Sequence, residues 1–403
     1  MASSVAAAAQ LSAFTSSKSP TYTFSSESVS EGHPDKVSDY IADSVLDAHL
    51  AEDPAARVAC EVLCKDNTVV LGGEITSKAS VDHDSVVRQA IRDIGYIDST
   101  TAFNADAVCV LQFISRQSPD IAQGVDADRN GDKEQGAGDQ GIMFGYACTE
   151  TAELMPLPIF LAHQLTQGLA EDRKAGKFGW IRPDSKSQVA VFYEGNTPIA
   201  VTDVLVSTQH SDSVSHDEIS SYVRNVLAPR CLGRWFHKNI RFRVNPTGSF
   251  VLGGPSADCG VTGRKIIADT YGGAARHGGG AFSGKDPSKV DRSAAYFCRF
   301  IARQLVQSDI AKRAEIQVAY AIGVAKPLSI KVDTFGTGDH RAALDFVQAF
   351  DFRPAAIIEQ LNLLRPIYRT TTNYGHFGKK GLPWETNDTT RGIAPSSIAE
   401  ALT

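Results

Sequence analysis

The hydrophobic positions of this chain form a pattern that occurs three times, at a period of roughly 125–130 residues. Each copy opens with apolar residues spaced at i, i+3 and i+4, which predict an amphipathic helix. These helical segments begin near Ser38, Pro158 and Ala294. A charged turn ends each segment, and a strand pattern follows it.

Strands are predicted after each helix because apolar and polar residues alternate there, as in residues 189–192 and 316–319. A turn and a second alternating run come next, and the short spacing predicts antiparallel hairpins. The second runs begin near Asn67, Asn196 and Lys326. A further helix is predicted in each copy, and a histidine lies near each of its starts: His83, His216 and His340. We expect these three histidines to be structural rather than catalytic.

The repeat predicts an α+β fold made of three similar α/β domains related by pseudo-threefold symmetry. Each domain is expected to be a mostly antiparallel sheet with helices on one face. A chain of 403 residues also exceeds what one ordinary core holds. The expected division is 1–20 (disordered tail), 21–116 (N-terminal domain), 117–134 (mobile loop), 135–251 (central domain) and 252–403 (C-terminal domain).

Composition narrows the class of protein. A hydrophobic content of 42% and a charged content of 21% are typical of a soluble globular protein. The net charge of −6 argues against nucleic-acid binding, and no apolar run approaches the roughly 20 residues of a membrane span. Seven cysteines without a CxxC pair favour reduced thiols and a cytoplasmic protein. The Ala- and Ser-rich residues 1–20 leave an organelle-targeting remnant as the alternative.

The segment 258–291 combines glycines with charges of both signs. Glycine lets backbone N–H groups approach a ligand closely, and lysine or arginine supplies charge for phosphate oxygens. Carboxylates can hold Mg²⁺ against a phosphate. The charged residues include Asp258, Arg264, Lys265, Lys285, Lys289 and Asp291. This stretch therefore carries every part needed to bind a magnesium polyphosphate.

Residues 279–286 nearly fit the P-loop pattern, which ends in Gly-Lys followed by Ser or Thr. The final position fails, because Asp286 stands where the Mg²⁺-binding hydroxyl belongs. The stretch before it is not a buried apolar strand. A flexible surface loop of glycines and solvated charges is the second alternative.

A second constellation lies at residues 26–39, just before the first helix. Pro34 suits the first helical position, and Asp35 falls in the first turn. His33 then stands at the helix entrance, where anions are favoured and where an imidazole can donate to an oxygen that gains charge. The alternative is a helix cap with a surface histidine.

The segment 117–141 is polar and glycine-rich. A calcium loop is considered for its aspartates, but an EF-hand requires Glu at the twelfth position, where this chain has Ala137. A mobile lid over a pocket is the favoured interpretation, because long loops in compact domains are usually functional.

Three further charged residues lie in or beside predicted strands. Lys186 is expected just before a strand, in the turn of residues 182–189. Glu61 and Glu74 lie in otherwise apolar strands, so each carboxylate needs a partner such as an ion or a substrate amine. An edge strand with its glutamate in water is the alternative.

Four motifs together carry a resemblance to a known family: GHPDK (32–36), GAGDQG (136–141), DSKSQV (184–189) and GGGAFSGKDPSKVDRSAAY (278–296). Through them the sequence resembles the methionine adenosyltransferases, also called S-adenosylmethionine synthetases, from about Thr21 to about Ile393. The resemblance implies three similar domains and a homodimer with shared active sites, two of which form a dimer of dimers, a homotetramer. It also implies that residues 117–134 are the gating loop.

The implied reaction is unusual. Methionine sulfur attacks C5′ of ATP and displaces the whole tripolyphosphate, which is then hydrolysed to pyrophosphate and phosphate. The sulfur is already a good nucleophile, so electrostatic stabilisation of the leaving group and in-line positioning are the expected catalytic devices. The alternatives are a P-loop kinase or phosphatase, and a non-catalytic regulatory subunit of such an enzyme.

The resemblance also implies a role for individual residues. The catalytic set is His33, Lys186, Arg264 and Lys285. The ATP-binding set is His33, Asp184, Lys186, Phe250, Arg264, Lys265, Ala281 and Lys285. The methionine-binding set is Glu74, Gln117, Asp258 and Lys289, and Asp139 belongs to the same region. Asp35 and Asp291 are the implied ligands of two Mg²⁺ per site, and Glu61 is that of one K⁺.

Two departures from the family pattern stand out. Many relatives have a basic residue where Ser249 stands, which puts local phosphate or structural contacts in question. The loop also is longer by about two residues, through ADRNGDK. The reaction is expected to survive both.

Overall fold

The computed structural model of the protein describes residues 19–99, 101–117 and 134–386. The predicted tail of residues 1–20 and the predicted gating loop of residues 117–134 therefore lie almost wholly outside the described ranges. None of the described helices has the length and apolar character that a membrane crossing requires. All seven cysteines are described and unpaired, as expected for reduced thiols.

Eleven strands and nine α-helices are assigned in the described ranges. The strands are β1 (Thr21–Val29), β2 (Arg57–Lys65), β3 (Thr68–Thr76), β4 (Cys109–Ser115), β5 (Gly141–Cys148), β6 (Ile181–Glu194), β7 (Thr197–His210), β8 (Arg241–Val244), β9 (Gly260–Val261), β10 (Arg313–Tyr320) and β11 (Ser329–Asp333). The helices are α1 (Pro34–Glu52), α2 (His83–Ile94), α3 (Leu157–Lys174), α4 (His216–Tyr222), α5 (Ala228–Leu232), α6 (Ile266–Asp269), α7 (Val290–Gln307), α8 (His340–Gln348) and α9 (Pro354–Gln360). A π-helical turn (Val223–Leu227) joins α4 to α5.

The threefold repeat of helix, hairpin and helix is confirmed. The three copies are α1-β2-β3-α2, α3-β6-β7-α4 and α7-β10-β11-α8, and their second helices begin at the expected histidines. In the first two copies a further strand, β4 or β8, returns parallel to the second hairpin strand. The third copy differs, because helix α9 follows α8 where the other two copies have a strand. The α+β fold class, with mostly antiparallel sheets, is also confirmed.

Each sheet is completed by a strand from a distant part of the chain. The sheet orders are β4-β3-β2-β9, β1-β6-β7-β8 and β11-β10-β5. The first strand of every hairpin pairs antiparallel with this incoming strand: β9 with β2, β1 with β6, and β5 with β10. The sheets thus interlock across the expected domain limits. The incoming strands also adjoin the motifs, since β1 leads into GHPDK, β5 follows GAGDQG, and β9 leads to Arg264.

Apolar side chains form two cores. The larger core takes in the first and third repeats, for example Ile41 of α1 and Phe300 of α7, which are both fully buried. The second core belongs to the central repeat, for example Leu165 of α3 and Val191 of β6. The first and third repeats therefore form one packed unit, and removing water from these surfaces supplies the main driving force for folding.

Four buried aspartates recur every four residues along α1 and form what we term the aspartate ladder: Asp35, Asp39, Asp43 and Asp47. A spacing of four places them on one helical face. Each carboxylate accepts a hydrogen bond from a backbone N–H of the C-terminal half. In the same order, the donors are Val261 at 3.0 Å, Gly263 at 2.8 Å, Gly284 at 2.9 Å and Tyr368 at 2.9 Å. The ladder therefore fixes the glycine-rich segment onto the first helix.

The third rung of the ladder is reinforced by a buried arginine. Arg292 of α7 forms two hydrogen bonds of 2.6 Å with the two carboxylate oxygens of Asp43. Both side chains are fully buried. Removal of one partner from such a pair costs about 3–5 kcal/mol, because the other charge stays buried and unpaired.

Close packing of β5 on α7 gives a test of this arrangement. A Cβ on Gly145 would lie 2.0 Å from the backbone carbon of Cys298. We therefore expect Gly145→Ala to lower the free energy of unfolding by about 1–3 kcal/mol, measured by urea denaturation. The control is Gly179→Ala, where no atom lies within 4 Å of the added carbon and a change below about 0.5 kcal/mol is expected. Equal stability of the two variants would contradict the packing.

Candidate active site

The entrance of α1 is built as the sequence predicts. His33 is the N-cap residue, Pro34 is the first helical residue, and the His33 Nδ1 atom accepts a 3.2 Å hydrogen bond from the Asp35 N–H. That bond leaves the proton of the neutral ring on Nε2. Burial lowers the pKa of His33 to about 3, and the charges of Lys265 and Lys186 act in the same direction. His33 is thus a neutral N–H donor at physiological pH.

Asp35 meets the glycine-rich segment directly. Its Oδ1 atom accepts a 3.0 Å hydrogen bond from the Val261 N–H, and its Oδ2 atom accepts one from the Lys265 ammonium. The Arg264 guanidinium lies 3.8 Å from Oδ1. Burial alone would raise the pKa of Asp35, but the bonds from Lys265 and Val261 outweigh it and lower that pKa. Asp35 is therefore an anion beside two cations.

Strand β6 brings two further predicted residues to this place. Asp184 is buried and accepts a 2.8 Å hydrogen bond from the Gly254 N–H. Burial raises the pKa of Asp184 to about 6, although that hydrogen bond and the charge of Lys186 oppose the rise. Lys186 is exposed and lies within β6, so the prediction that it precedes the strand is wrong. The strand reaches back to Ile181 because a register shift between Ile181 and Ser185 accommodates the turn-like sequence.

Two more of the predicted ligand residues, Phe250 and Asp258, lie near the residues just described. The Phe250 N–H donates to His210 Nε2 at 3.0 Å, and the His210 N–H donates to the Phe250 carbonyl at 3.0 Å. Asp258 is exposed, and its charge contributes to the raised pKa of Asp184. We call His33, Asp35, Asp184, Lys186, Arg264 and Lys265 the helix-entrance cluster.

A second group of predicted residues gathers at the start of α7. The Lys285 ammonium lies 2.6 Å from Asp291 Oδ2, and Asp291 is in the first turn of the helix. The Lys289 ammonium hydrogen-bonds the buried carboxylate of Asp286. Partial burial raises the pKa of Glu61 on β2, and the charge of Lys285 opposes the rise. We call Glu61, Lys285, Lys289 and Asp291 the α7 cluster.

Asp286 explains why the P-loop pattern fails. Its carboxylate accepts hydrogen bonds from the Val58 N–H at 2.7 Å and the Ser288 N–H at 2.9 Å. It therefore fixes the loop onto β2 rather than facing a ligand as a P-loop hydroxyl does. Residues 279–289 follow no strand, and helix α7 begins only at Val290. The flexible-loop alternative fails as well, because the Gly284 carbonyl accepts a 2.9 Å bond from the Cys60 N–H.

GAGDQG lies against the α7 cluster. A Cβ on Gly138 would stand 2.9 Å from the Ser288 carbonyl oxygen, so close approach requires glycine there. Asp139 is exposed, and its Oδ1 atom accepts a 2.7 Å hydrogen bond from the Gln140 N–H. On the other side of the segment, a Cβ on Gly141 would lie 3.6 Å from Asp291 Oδ1.

The remaining predicted residues lie as follows. Glu74 is exposed on β3, and Ser115 of β4 is its register partner. The Gln117 N–H donates to Thr76 Oγ1 at 3.2 Å, so Glu74 and Gln117 share one end of the first sheet. Ala281 packs against Gly263, where an added Cβ would be 2.4 Å from the Ala281 Cβ.

Within the described ranges, no hydrogen bond or ion pair joins a side chain of the helix-entrance cluster to one of the α7 cluster. A cavity of about 670 Å³ lies elsewhere, between α3 and residues 369–380, and no predicted site residue lines it. One copy of the chain thus presents two charged clusters rather than a single enclosed pocket.

Family models cover almost all of the described chain. The N-terminal, central and C-terminal domain models of S-adenosylmethionine synthetase match residues 21–119, 134–250 and 252–386, respectively. The chain belongs to the S-adenosylmethionine synthetase family. It is 55% identical over 390 residues to an S-adenosylmethionine synthase of Akkermansia muciniphila, covering 93% of this chain and 98% of that protein. It is 54% identical over 387 residues to one of Sorangium cellulosum, covering 94% and 91%. The predicted family and the predicted class, an adenosyltransferase, are confirmed.

The synthetase chain offers oxygen ligands suited to Mg²⁺ but no complete cage. In the part of the chain that the structure describes, no three His, Cys, Asp or Glu side chains converge as a metal cluster. Asp35 and Asp291 are instead single carboxylates, each already in contact with a lysine ammonium. Mg²⁺ is commonly held by one or two carboxylates together with substrate phosphates and water. The two aspartates fit that kind of site.

Several charged residues around this site were given no role from the sequence. They are Lys36, Asp39, Asp43, Asp269, Asp286 and Arg292, and all are buried. Lys36 lies inside GHPDK, and the spacing of four between Asp35, Asp39 and Asp43 places them on one helical face. Those two signals were available, but neither reveals burial, which depends on the distant segment.

The state of His33 can be checked directly. Its pKa of about 3 predicts a neutral ring with the proton on Nε2 throughout pH 5–8, visible in ¹⁵N-imidazole spectra of labelled protein. The folded pKa lies below the unfolded one, so this site's contribution to stability is constant above about pH 6.5 and falls as the pH drops toward 3. The resonance of His33 is identified as the one that is missing from the spectrum of the His33→Gln variant. A titration midpoint near 6.5 would contradict the buried, neutral state.

Proposed function

We propose that this protein makes S-adenosylmethionine from ATP and L-methionine, by attack of the sulfur on C5′ with release of tripolyphosphate. Hydrolysis of the tripolyphosphate to pyrophosphate and phosphate then follows in the same site. The observation that carries the proposal is a pair of carboxylate–lysine contacts, Asp35 with Lys265 and Asp291 with Lys285, at the starts of α1 and α7. Each contact combines a Mg²⁺ ligand with a phosphate-binding cation.

The leaving group sets the chemical demand. Methionine sulfur needs no general base, whereas tripolyphosphate departs with several negative charges. Lys186, Arg264, Lys265 and Lys285 supply positive charge for it, and preorganised charge of this kind is usually the largest catalytic contribution. His33 has its available proton on Nε2 and stays neutral, so we place it as the hydrogen-bond donor to the departing 5′ oxygen.

The proposed cofactors are two Mg²⁺ and one K⁺ per site. Asp35 and Asp291 would hold Mg²⁺, which, when bound, neutralises phosphate charge. Glu61 would help to hold K⁺. Partial burial of its carboxylate supports this placement, because a partly desolvated carboxylate needs a partner of opposite charge.

The amino-acid substrate is assigned to the rims of both clusters. Glu74 and Asp258 are exposed carboxylates that suit the ammonium group of methionine. We assign Gln117 and Lys289 to the same substrate, Asp139 to the adjoining region, and Asp184, Phe250 and Ala281 to the nucleotide. The gating-loop role of residues 117–134 remains a prediction, as do the proposed domain limits and the cytoplasmic location.

We further propose a homodimer with shared sites, assembled into a dimer of dimers. The outward face of the first sheet supports it: Leu63, Leu111 and Phe113 are 39%, 43% and 68% exposed. Glu61 and Glu74 lie on the inner strands β2 and β3 of this sheet, not on an edge strand. An exposed apolar face on a sheet is typical of an interface. In the proposed dimer, the helix-entrance cluster of one protomer and the α7 cluster of its partner together form one site.

The reaction is tested by incubating the purified protein with ATP, L-methionine, Mg²⁺ and K⁺ and identifying products by mass spectrometry. We expect S-adenosylmethionine with equal amounts of pyrophosphate and phosphate, all dependent on methionine. Lys285→Met should lower kcat/KM by about 10²–10³-fold, through the loss of one charge on the leaving group.

The matched control is Lys331→Met, which removes an exposed lysine of the third sheet and should leave kcat/KM within about twofold. Formation of ADP without methionine would instead indicate a phosphotransferase. No product at all would favour the non-catalytic regulatory subunit.

The dimer face gives a separate prediction. Phe113→Arg should convert the protein to monomers in analytical ultracentrifugation and abolish turnover, since a charge in an apolar interface is strongly unfavourable. Val226→Arg is the control, because Val226 is 45% exposed on the helical side of the central repeat. Retention of the wild-type mass by Phe113→Arg would place the interface elsewhere.

A further inference from the structure

The residue that follows the proposed Mg²⁺ ligand is a buried lysine. Lys36 is 2% exposed, and its ammonium lies 2.6 Å from Asp269 Oδ1 and 2.9 Å from Asp39 Oδ2. Burying three charges is costly unless the geometry contributes something else, because a packed apolar cluster of similar volume is often at least as stable. The placement of Lys36 therefore calls for a role beyond stability.

Two ion pairs join α1 to the segment that faces it, and α1 supplies the anion of one pair and the cation of the other. On α1, Asp35 and Lys36 are consecutive; on the facing segment, Lys265 caps α6 and Asp269 ends it. Asp35 bonds Lys265, and Lys36 bonds Asp269. The first pair is partly accessible, since the Lys265 side chain is 22% exposed, whereas the second is almost fully enclosed.

Binding of a magnesium polyphosphate would break the first ion pair and leave the second intact. In the proposed function, Asp35 would hold Mg²⁺ and Lys265 would bind a phosphate oxygen, so their direct contact would be exchanged for contacts with the ligand. The enclosed pair has no such competitor. Asp269 is also held by a third segment of the chain, because its carbonyl accepts a 2.8 Å hydrogen bond from the His376 N–H.

We propose that Lys36 and Asp269 are positioning residues, which hold the Mg²⁺-ligand side and the phosphate-cation side of the helix-entrance cluster in register while the Asp35–Lys265 contact gives way to ligand. This inference rests on the proposed function. It adds two residues that touch neither substrate nor metal, and it assigns them to the metal–phosphate half of the reaction rather than to methionine.

The test compares Lys36→Met, Lys36→Arg and Asp269→Asn with the wild type. Inorganic tripolyphosphate is titrated calorimetrically into each purified protein at fixed Mg²⁺ and in EDTA, and KM values for ATP and methionine are measured separately. Loss of a group that orients a metal ligand typically weakens metal affinity by about 10–100-fold. We expect a loss of that size for Lys36→Met in Mg²⁺-dependent tripolyphosphate binding and in KM for ATP, with the KM for methionine within about threefold.

A conservative variant and a control variant far from the site distinguish a positioning role from an effect on stability alone. Lys36→Arg should recover most of the tripolyphosphate affinity, since it keeps the charge. Asp172→Asn is the matched control: Asp172 is a buried carboxylate of the central repeat that bonds Arg230, Lys177 and Tyr222. It should lower the melting temperature without changing the Mg²⁺ dependence.

The inference is overturned if Lys36→Met melts earlier yet binds Mg²⁺-tripolyphosphate as the wild type does. If Lys36→Met does not fold, the near-isosteric Asp269→Asn decides the question by the same titration. A wild type that binds tripolyphosphate but makes no S-adenosylmethionine would refute the proposed function alone, and the binding comparison would still test the register role.

Discussion

The aspartate ladder of α1 is the interaction on which the rest of the structure depends. Four carboxylates on one face of a helix would repel one another if they stood in a dry environment without compensation. They are tolerated because each accepts a main-chain N–H from the C-terminal half of the chain, and because Lys265, Lys36 and Arg292 neutralise the first three rungs. The glycine-rich segment cannot leave α1 without uncovering these charges.

Because of this arrangement, some residues that stabilise the fold also belong to the proposed site. The first rung, Asp35, is at once a structural acceptor for Val261 and the proposed metal ligand. The fourth rung, Asp47, accepts hydrogen bonds from the main-chain N–H groups of Tyr368 and Arg369; burial raises its pKa to about 6, and these bonds oppose the rise. Along one helix the same type of side chain therefore passes from a proposed metal-binding role at the N-terminal end to a purely architectural one at the C-terminal end.

Local signals allowed much of this to be predicted. Apolar spacing gave the three repeats, Pro34 gave the helix start, and the glycines with their lysines indicated the phosphate chemistry. What failed were features set by distant contacts. The two-residue strand β9 has too little pattern to be recognised, and Lys186 follows a proline and an aspartate that are typical of a turn. Asp286 is a carboxylate of the kind that binds ligands, yet it accepts a hydrogen bond from the Val58 N–H instead.

The exchange of incoming strands among the three sheets has a consequence for synthesis of the chain. The outer edge of β2 has no partner until β9 has been made, and β1 stays single until β6 follows it. A nascent N-terminal repeat therefore carries open strand edges, which are prone to pair with other chains. Contacts between such distant positions also slow folding. The ribosome must therefore release most of the polypeptide before any single sheet is closed.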